Sequence, residues 1–95
     1  MVAEFIAVFL DEAPPLLTAI RTGVTEGNAE TVKRAAHTLR SGSANLGAHQ
    51  MAGLCAELEK RGRSGMMEGS EVVLGQLEGE WLRFVAALTA EQERA

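Results

Sequence analysis

The chain has 95 residues, 46% hydrophobic, 23% charged and 4% aromatic with no Tyr, a composition that excludes disordered and collagen-like chains and suits one domain over residues 1–95. Thirteen acidic against nine basic residues leave a net charge of −4, which argues against a nucleic-acid partner, and a lone Cys cannot close an internal disulfide and suits a reducing compartment. No apolar run approaches the ~20 residues of a membrane span, and Met1-Val2-Ala3-Glu4 lacks the basic start of a secretory signal, so a cytoplasmic domain without membrane association is expected.

The apolar residues follow a helical period almost throughout. Val2, Phe5, Ile6, Phe9 and Leu10 form a short amphipathic segment, which Asp11 and the Pro14-Pro15 pair interrupt. Proline is tolerated in a first helical turn, so a second helix is predicted to begin there, with Leu16, Leu17, Ile20 and Val24 as its stripe and Gly27-Asn28 as its end. A third helix is predicted from near Asn28, with Glu30 in its first turn and Val32, Ala36, Leu39, Ser43 and Leu46 facing inward. Gly47 breaks or kinks it. Met51, Leu54, Cys55 and Leu58 mark a fourth helix, closed by Lys60-Arg61 and Gly62, a basic last turn followed by glycine. Residues 62–70 read as a loop, although the next helix could begin as early as Met66, and Leu74, Leu77, Trp81, Phe84 and Leu88 define the last helix. The predicted fold is all-α: an antiparallel four-helix bundle with a short extra N-terminal capping helix. Gly42, Gly53, Gly75 and Gly79 fall inside helices at about 1 kcal/mol each relative to Ala, an expense that close helix–helix approach would offset.

One residue of the third helix stands apart from this pattern. At about 100° per residue, His37 falls roughly 140° from the centre of the apolar stripe and faces solvent. Lys33, Arg34 and Arg40 lie at i−4, i−3 and i+3, and the small Ser41 and Ala44 at i+4 and i+7. Residues 31–48 hold three bases and no acids, leaving six bases and all thirteen acids elsewhere. A local basic patch on an acidic domain attracts an anion or an acidic surface. Neighbouring cations favour a neutral, nucleophilic imidazole and would balance phosphoryl oxygens, so the pattern suits phosphoryl transfer to histidine. A bystander histidine on a solvated basic face fits the same spacing.

The run Ala36-His37-Thr38-Leu39-Arg40-Ser41-Gly42-Ser43-Ala44-Asn45-Leu46-Gly47-Ala48 resembles the signature helix of histidine-containing phosphotransfer (HPt) domains. Leu54-Cys55-Ala56-Glu57-Leu58-Glu59 with Gly62 resembles the family's next helix. Phe9 to Pro14 with Leu16-Leu17 resembles its first helices. The resemblance implies a monomeric four-helix bundle that relays phosphoryl groups between receiver-domain aspartates in two-component signalling, a carrier without autokinase activity. By position it implies His37 as phosphoacceptor, Arg40 in the place of a charge-balancing Lys, and Glu59 on the facing helix as an orienter of the imidazole. Ser41 stands where many members carry Gly, and is small enough to keep the partner's access. Lys33, Arg34, Ser41 and Ala44 would meet the partner. The implied partners are response-regulator receiver domains and a hybrid sensor kinase. No cofactor or metal is expected on the chain itself, with Mg²⁺ on the receiver.

Other readings are weaker on the residues. The phosphoacceptor helices of a histidine kinase resemble a His-Glu-Leu-Arg-Thr-Pro pattern, whereas Thr38 follows His37 and no Pro follows in the helix. A purely structural helical adaptor would leave His37 incidental. His49 is expected to cap the helix after Gly47, Cys55 to be a buried small hydrophobe, Met66-Met67 to anchor a loop and Trp81 to pack in the core. A free-standing protein and a module of a larger kinase are both compatible with this length.

Overall fold

The computed structural model describes residues 2–94, with side chains over 4–90; the side chain of Val2, placed above in the first stripe, lies outside the described residues. Four helices follow in order: α1 (Val2–Glu26), α2 (Ala29–Asn45), α3 (His49–Ser64) and α4 (Ser70–Arg94). Each packs on its neighbour in sequence and α1 closes against α4, so the short turns make an up-and-down antiparallel bundle. Among the described residues, fourteen buried apolar ones form its core, including Ile20, Val32, Leu39, Met51, Leu58, Leu74 and Leu77.

The capping helix expected before Asp11 is not a separate element: α1 runs unbroken through Pro14 and Pro15. Phe9, Ala13, Leu17 and Ile20 are buried along one side of it, and this stripe continues in register across the prolines. Both prolines are exposed, and the carbonyls they leave without a helical donor belong to Leu10 and Asp11, which solvent reaches. Core packing by the buried stripe holds the helix through the two missing bonds.

The turn between α1 and α2 falls at Gly27-Asn28. Gly27 takes φ 68°, a left-handed conformation that glycine adopts without strain. Asn28 Oδ1 accepts from the Thr31 amide at 3.1 Å and starts α2. Gly47, at φ 74°, ends α2. The N-cap of α3 is Ala48 without a side-chain bond, so His49 is the exposed first residue of the helix and not its cap.

Gly62 does not end α3. That helix continues to Ser64 and closes on Gly65, a left-handed cap at φ 76°. Gly62 is buried where α3 crosses the start of α2, and a Cβ there would lie 2.7 Å from the Ala29 carbonyl and 2.8 Å from the Lys33 amide. Close approach also accounts for Gly42, whose missing side chain admits the Phe9 ring. It does not account for Gly53 or Gly75, which face open space, nor for Gly79, where a Cβ would meet only the Arg83 side chain. Residues 65–69 form the loop, α4 begins at Ser70 and not at Met66, and Met67 packs on the core while Met66 is exposed. Trp81 is half-buried against Phe9 and Phe84. Among the described residues, no helix is long and apolar enough to cross a membrane.

Candidate functional site

The inward stripe of α2, with Val32, Ala35, Ala36, Leu39 and Ser43 buried, turns His37 outward. Its side chain is 58% exposed. Ser43 fits this apolar seam because its hydroxyl donates to the Leu39 carbonyl at 2.8 Å, which satisfies the one polar group buried there.

Across from His37, α3 presents Glu59, whose side chain is 5% exposed. A buried carboxylate is costly unless paired and hydrogen-bonded, and this one has three partners. His37 Nδ1 lies 2.9 Å from Oε2, Arg40 Nε donates to Oε1 at 2.7 Å, and Arg63 Nη2 donates to Oε2 at 2.8 Å. Burial by itself raises the Glu59 carboxyl, but the hydrogen bonds from Arg40 and His37 and their charge outweigh it and hold the group below its ordinary value. Glu59 is therefore an anion at neutral pH.

That anion settles the imidazole tautomer. A lone pair on Nδ1 would face a carboxylate oxygen at 2.9 Å, so Nδ1 carries the proton and donates it to Glu59. Arg40 Nη2, 3.2 Å from the same nitrogen, then supplies charge beside the ring and no hydrogen bond to it. In the neutral ring the lone pair is left on Nε2, the usual consequence of a carboxylate partner on the other nitrogen.

His37 shares an open depression of about 410 Å³ with Lys33, Arg34, Thr38, Glu59 and Arg63. Glu30 partly offsets this patch, pairing with Lys33 at 3.1 Å and with Arg34 at 3.0 Å. Arg40 is turned toward Glu59 and is not part of the depression's lining. Ser41 folds its hydroxyl back onto the His37 carbonyl at 3.3 Å, and both Ser41 and Ala44 are exposed, so the face C-terminal to His37 stays low. Burial pushes the Cys55 thiol up to about 12, which leaves it protonated and unreactive.

The tertiary structure brings Glu59 of α3 against His37 and Arg40 of α2, leaves Ser41 and Ala44 outside that cluster, and adds Arg63 to it and Glu30 beside it. Arg63 lies four residues after Glu59, a spacing at which helical side chains meet, and that was the available signal. Glu30 was visible only as a first-turn acid. Among the described residues, no group of His, Cys, Asp and Glu is arranged to hold a metal ion.

An antiparallel bundle that displays one histidine, oriented by a buried carboxylate from the adjacent helix, defines a phosphotransfer-type helical domain. The profile of the Hpt domain family matches residues 4–91. Over 87 residues, 92% of the chain, the sequence is 36% identical to the sensor protein TorS of Escherichia coli K12, and it spans 8% of that relative's length. The crystal structure of histidine-containing phosphotransfer protein B (HptB) from Pseudomonas aeruginosa PAO1 superposes with a TM-score of 0.88 at 26% identity, covering 96% of this chain and 79% of that one. The chain belongs to the Hpt family, the phosphotransfer domains of two-component signalling. Members of this family carry phosphoryl groups and are not kinases.

Proposed function

We propose that His37 is the phosphoacceptor, taking a phosphoryl group from the phospho-aspartate of one receiver domain and giving it to the aspartate of another. The observation that carries this reading is the exposed imidazole with Nδ1 2.9 Å from Oε2 of buried Glu59; the carboxylate's charge favours the proton on Nδ1 and leaves the Nε2 lone pair free for attack. Nε2 forms a bond to phosphorus as the bond from phosphorus to the aspartate oxygen breaks, and that electron pair returns to the aspartate carboxylate. The ring becomes cationic in the adduct, and Glu59 holds its Nδ1 proton. Arg40 adds positive charge beside the ring, and Lys33 and Arg34 place more around the depression that receives the phosphoryl oxygens.

The partners are receiver domains, supplied with phosphoryl groups through a hybrid sensor kinase, and any Mg²⁺ sits in the receiver's acidic pocket. In this reading the domain is a cytoplasmic monomer, without autokinase activity or affinity for nucleic acid. Lys33, Arg34, Ser41 and Ala44 meet the receiver, the first two by charge and the last two by leaving room.

Transfer from a labelled, phosphorylated receiver domain to the wild type and to His37→Gln tests the assignment. Acid-labile, base-stable label is expected on the wild type alone, with the variant as helical as the wild type. Label retained on a folded His37→Gln variant would overturn it.

A further inference from the structure

Glu59 Oε2 is shared by two donors, His37 Nδ1 at 2.9 Å and Arg63 Nη2 at 2.8 Å, while Oε1 serves Arg40 at 2.7 Å. Arg40 is the nearer to the ring; Arg63 touches the imidazole only through the carboxylate. Its side chain is 66% exposed, so packing does not explain its position. From this sharing we infer that Arg63 is a positioning residue that governs the lifetime of the phosphohistidine, by drawing on the same carboxylate oxygen that holds the ring's Nδ1 proton. The inference rests on His37 as the phosphoacceptor and adds a control on what happens after transfer.

The argument follows the proton. With phosphorus on Nε2, the ring is a good leaving group only while Nδ1 is protonated, because the electron pair of the breaking bond then falls on a nitrogen of a ring that becomes neutral. Water attacks phosphorus, the bond from phosphorus to Nε2 breaks, inorganic phosphate leaves, and the imidazole is released with its proton still on Nδ1. A bare carboxylate at Oε2 would hold that proton tightly and keep the adduct labile. A guanidinium on the same oxygen takes part of its charge, weakens its hold on the ring, and lengthens the adduct's life.

The other charged and titratable groups around this cluster are Lys33, Arg34 and Arg40 on α2, Glu30 beyond them, and the neutral thiol of Cys55 beneath. Lys33 and Arg34 are paired with Glu30 and make no bond to Glu59. Arg63 is thus the cation whose removal changes Oε2 and leaves Oε1 as it is.

The test uses protein phosphorylated chemically with phosphoramidate, so that no receiver is needed, and follows loss of the His37 phosphoryl group between pH 5 and 8. Wild type, Arg63→Gln, Arg63→Lys, Glu59→Gln and the Glu59→Gln/Arg63→Gln pair are compared, with helicity checked for each. Arg63→Gln is expected to speed loss about threefold near pH 7, as the decay profile moves toward higher pH by about half a unit. Arg63→Lys should recover most of that change, Glu59→Gln should slow loss, and the Arg63 effect should vanish in the double variant. Superposable wild-type and Arg63→Gln profiles, or slower loss in Arg63→Gln, would overturn the inference while leaving the carrier role intact. A His37 that takes no phosphoryl group from phosphoramidate in any of the five proteins would overturn both.

Discussion

Two regions of α2 lie five residues apart, about 7.5 Å of helical rise, and are built on opposite principles. At Gly42 the helix meets the Phe9 ring, which packs edge-on against Trp81 at 5.8 Å and Phe84 at 5.5 Å between ring centroids. At His37 it meets a buried carboxylate with three donors. The aromatic contacts are worth mainly the apolar area they remove from water, and many arrangements of similar volume would serve. The Glu59 cluster permits few, because each donor must reach one of two oxygens and a lost partner leaves a buried charge exposed to its full cost. Apolar packing governs the first region and polar geometry the second.

The largest break in that contrast is Phe9→Ala. It removes the shared partner of both rings and opens a hole over Gly42, at about 3 kcal/mol in a urea denaturation, while transfer to His37 in the folded fraction should be unchanged. Gly62→Ala reaches both properties at once. Its Cβ would press on backbone atoms of Ala29 and Lys33, which cannot turn aside like a side chain. A loss of about 2 kcal/mol is expected, and the changed spacing of α2 and α3 should slow transfer about tenfold through the His37–Glu59 geometry.

Acid acts on the second region through Glu59. The Glu59 carboxyl titrates below its ordinary value of 4.5 in the folded chain, so its contribution to stability is complete above that value and is lost as pH falls through the lower folded one. Urea midpoints measured from pH 6 down to pH 3 should fall more steeply for the wild type than for Glu59→Gln; parallel curves would remove Glu59 as a contributor. The smallest expected change is Gly53→Ala. Nothing lies within 4 Å of the added Cβ, so helix propensity alone should raise stability by about 0.5–1 kcal/mol with transfer unaltered.

Much of this could be read from spacing. The stripe Val32, Ala36, Leu39, Ser43 is buried as its period requires, and the same period turns His37 outward, because a helix allots its faces by arithmetic in the sequence alone. The turns at Gly27 and Gly47 were equally legible, since both take the left-handed backbone that glycine favours. Local signals failed where a distant element outweighed them. Pro14-Pro15 reads as a helix boundary, yet the buried line from Phe9 to Ile20 carries α1 through it. Lys60-Arg61-Gly62 reads as a helix end, yet Gly62 exists for the backbone of α2 and the end falls at Gly65.

The sequence by itself determined the helical stripes from Leu16 onward, the exposed histidine among small and basic neighbours, and the family they belong to. These are properties of residues close together in the chain, where the helical period decides. Only the tertiary structure decided which oxygen of Glu59 meets which nitrogen, and that Arg63 shares it with His37. A hydrogen bond between helices depends on their spacing and rotation to within a few tenths of an ångström, and no pattern along either helix records that distance.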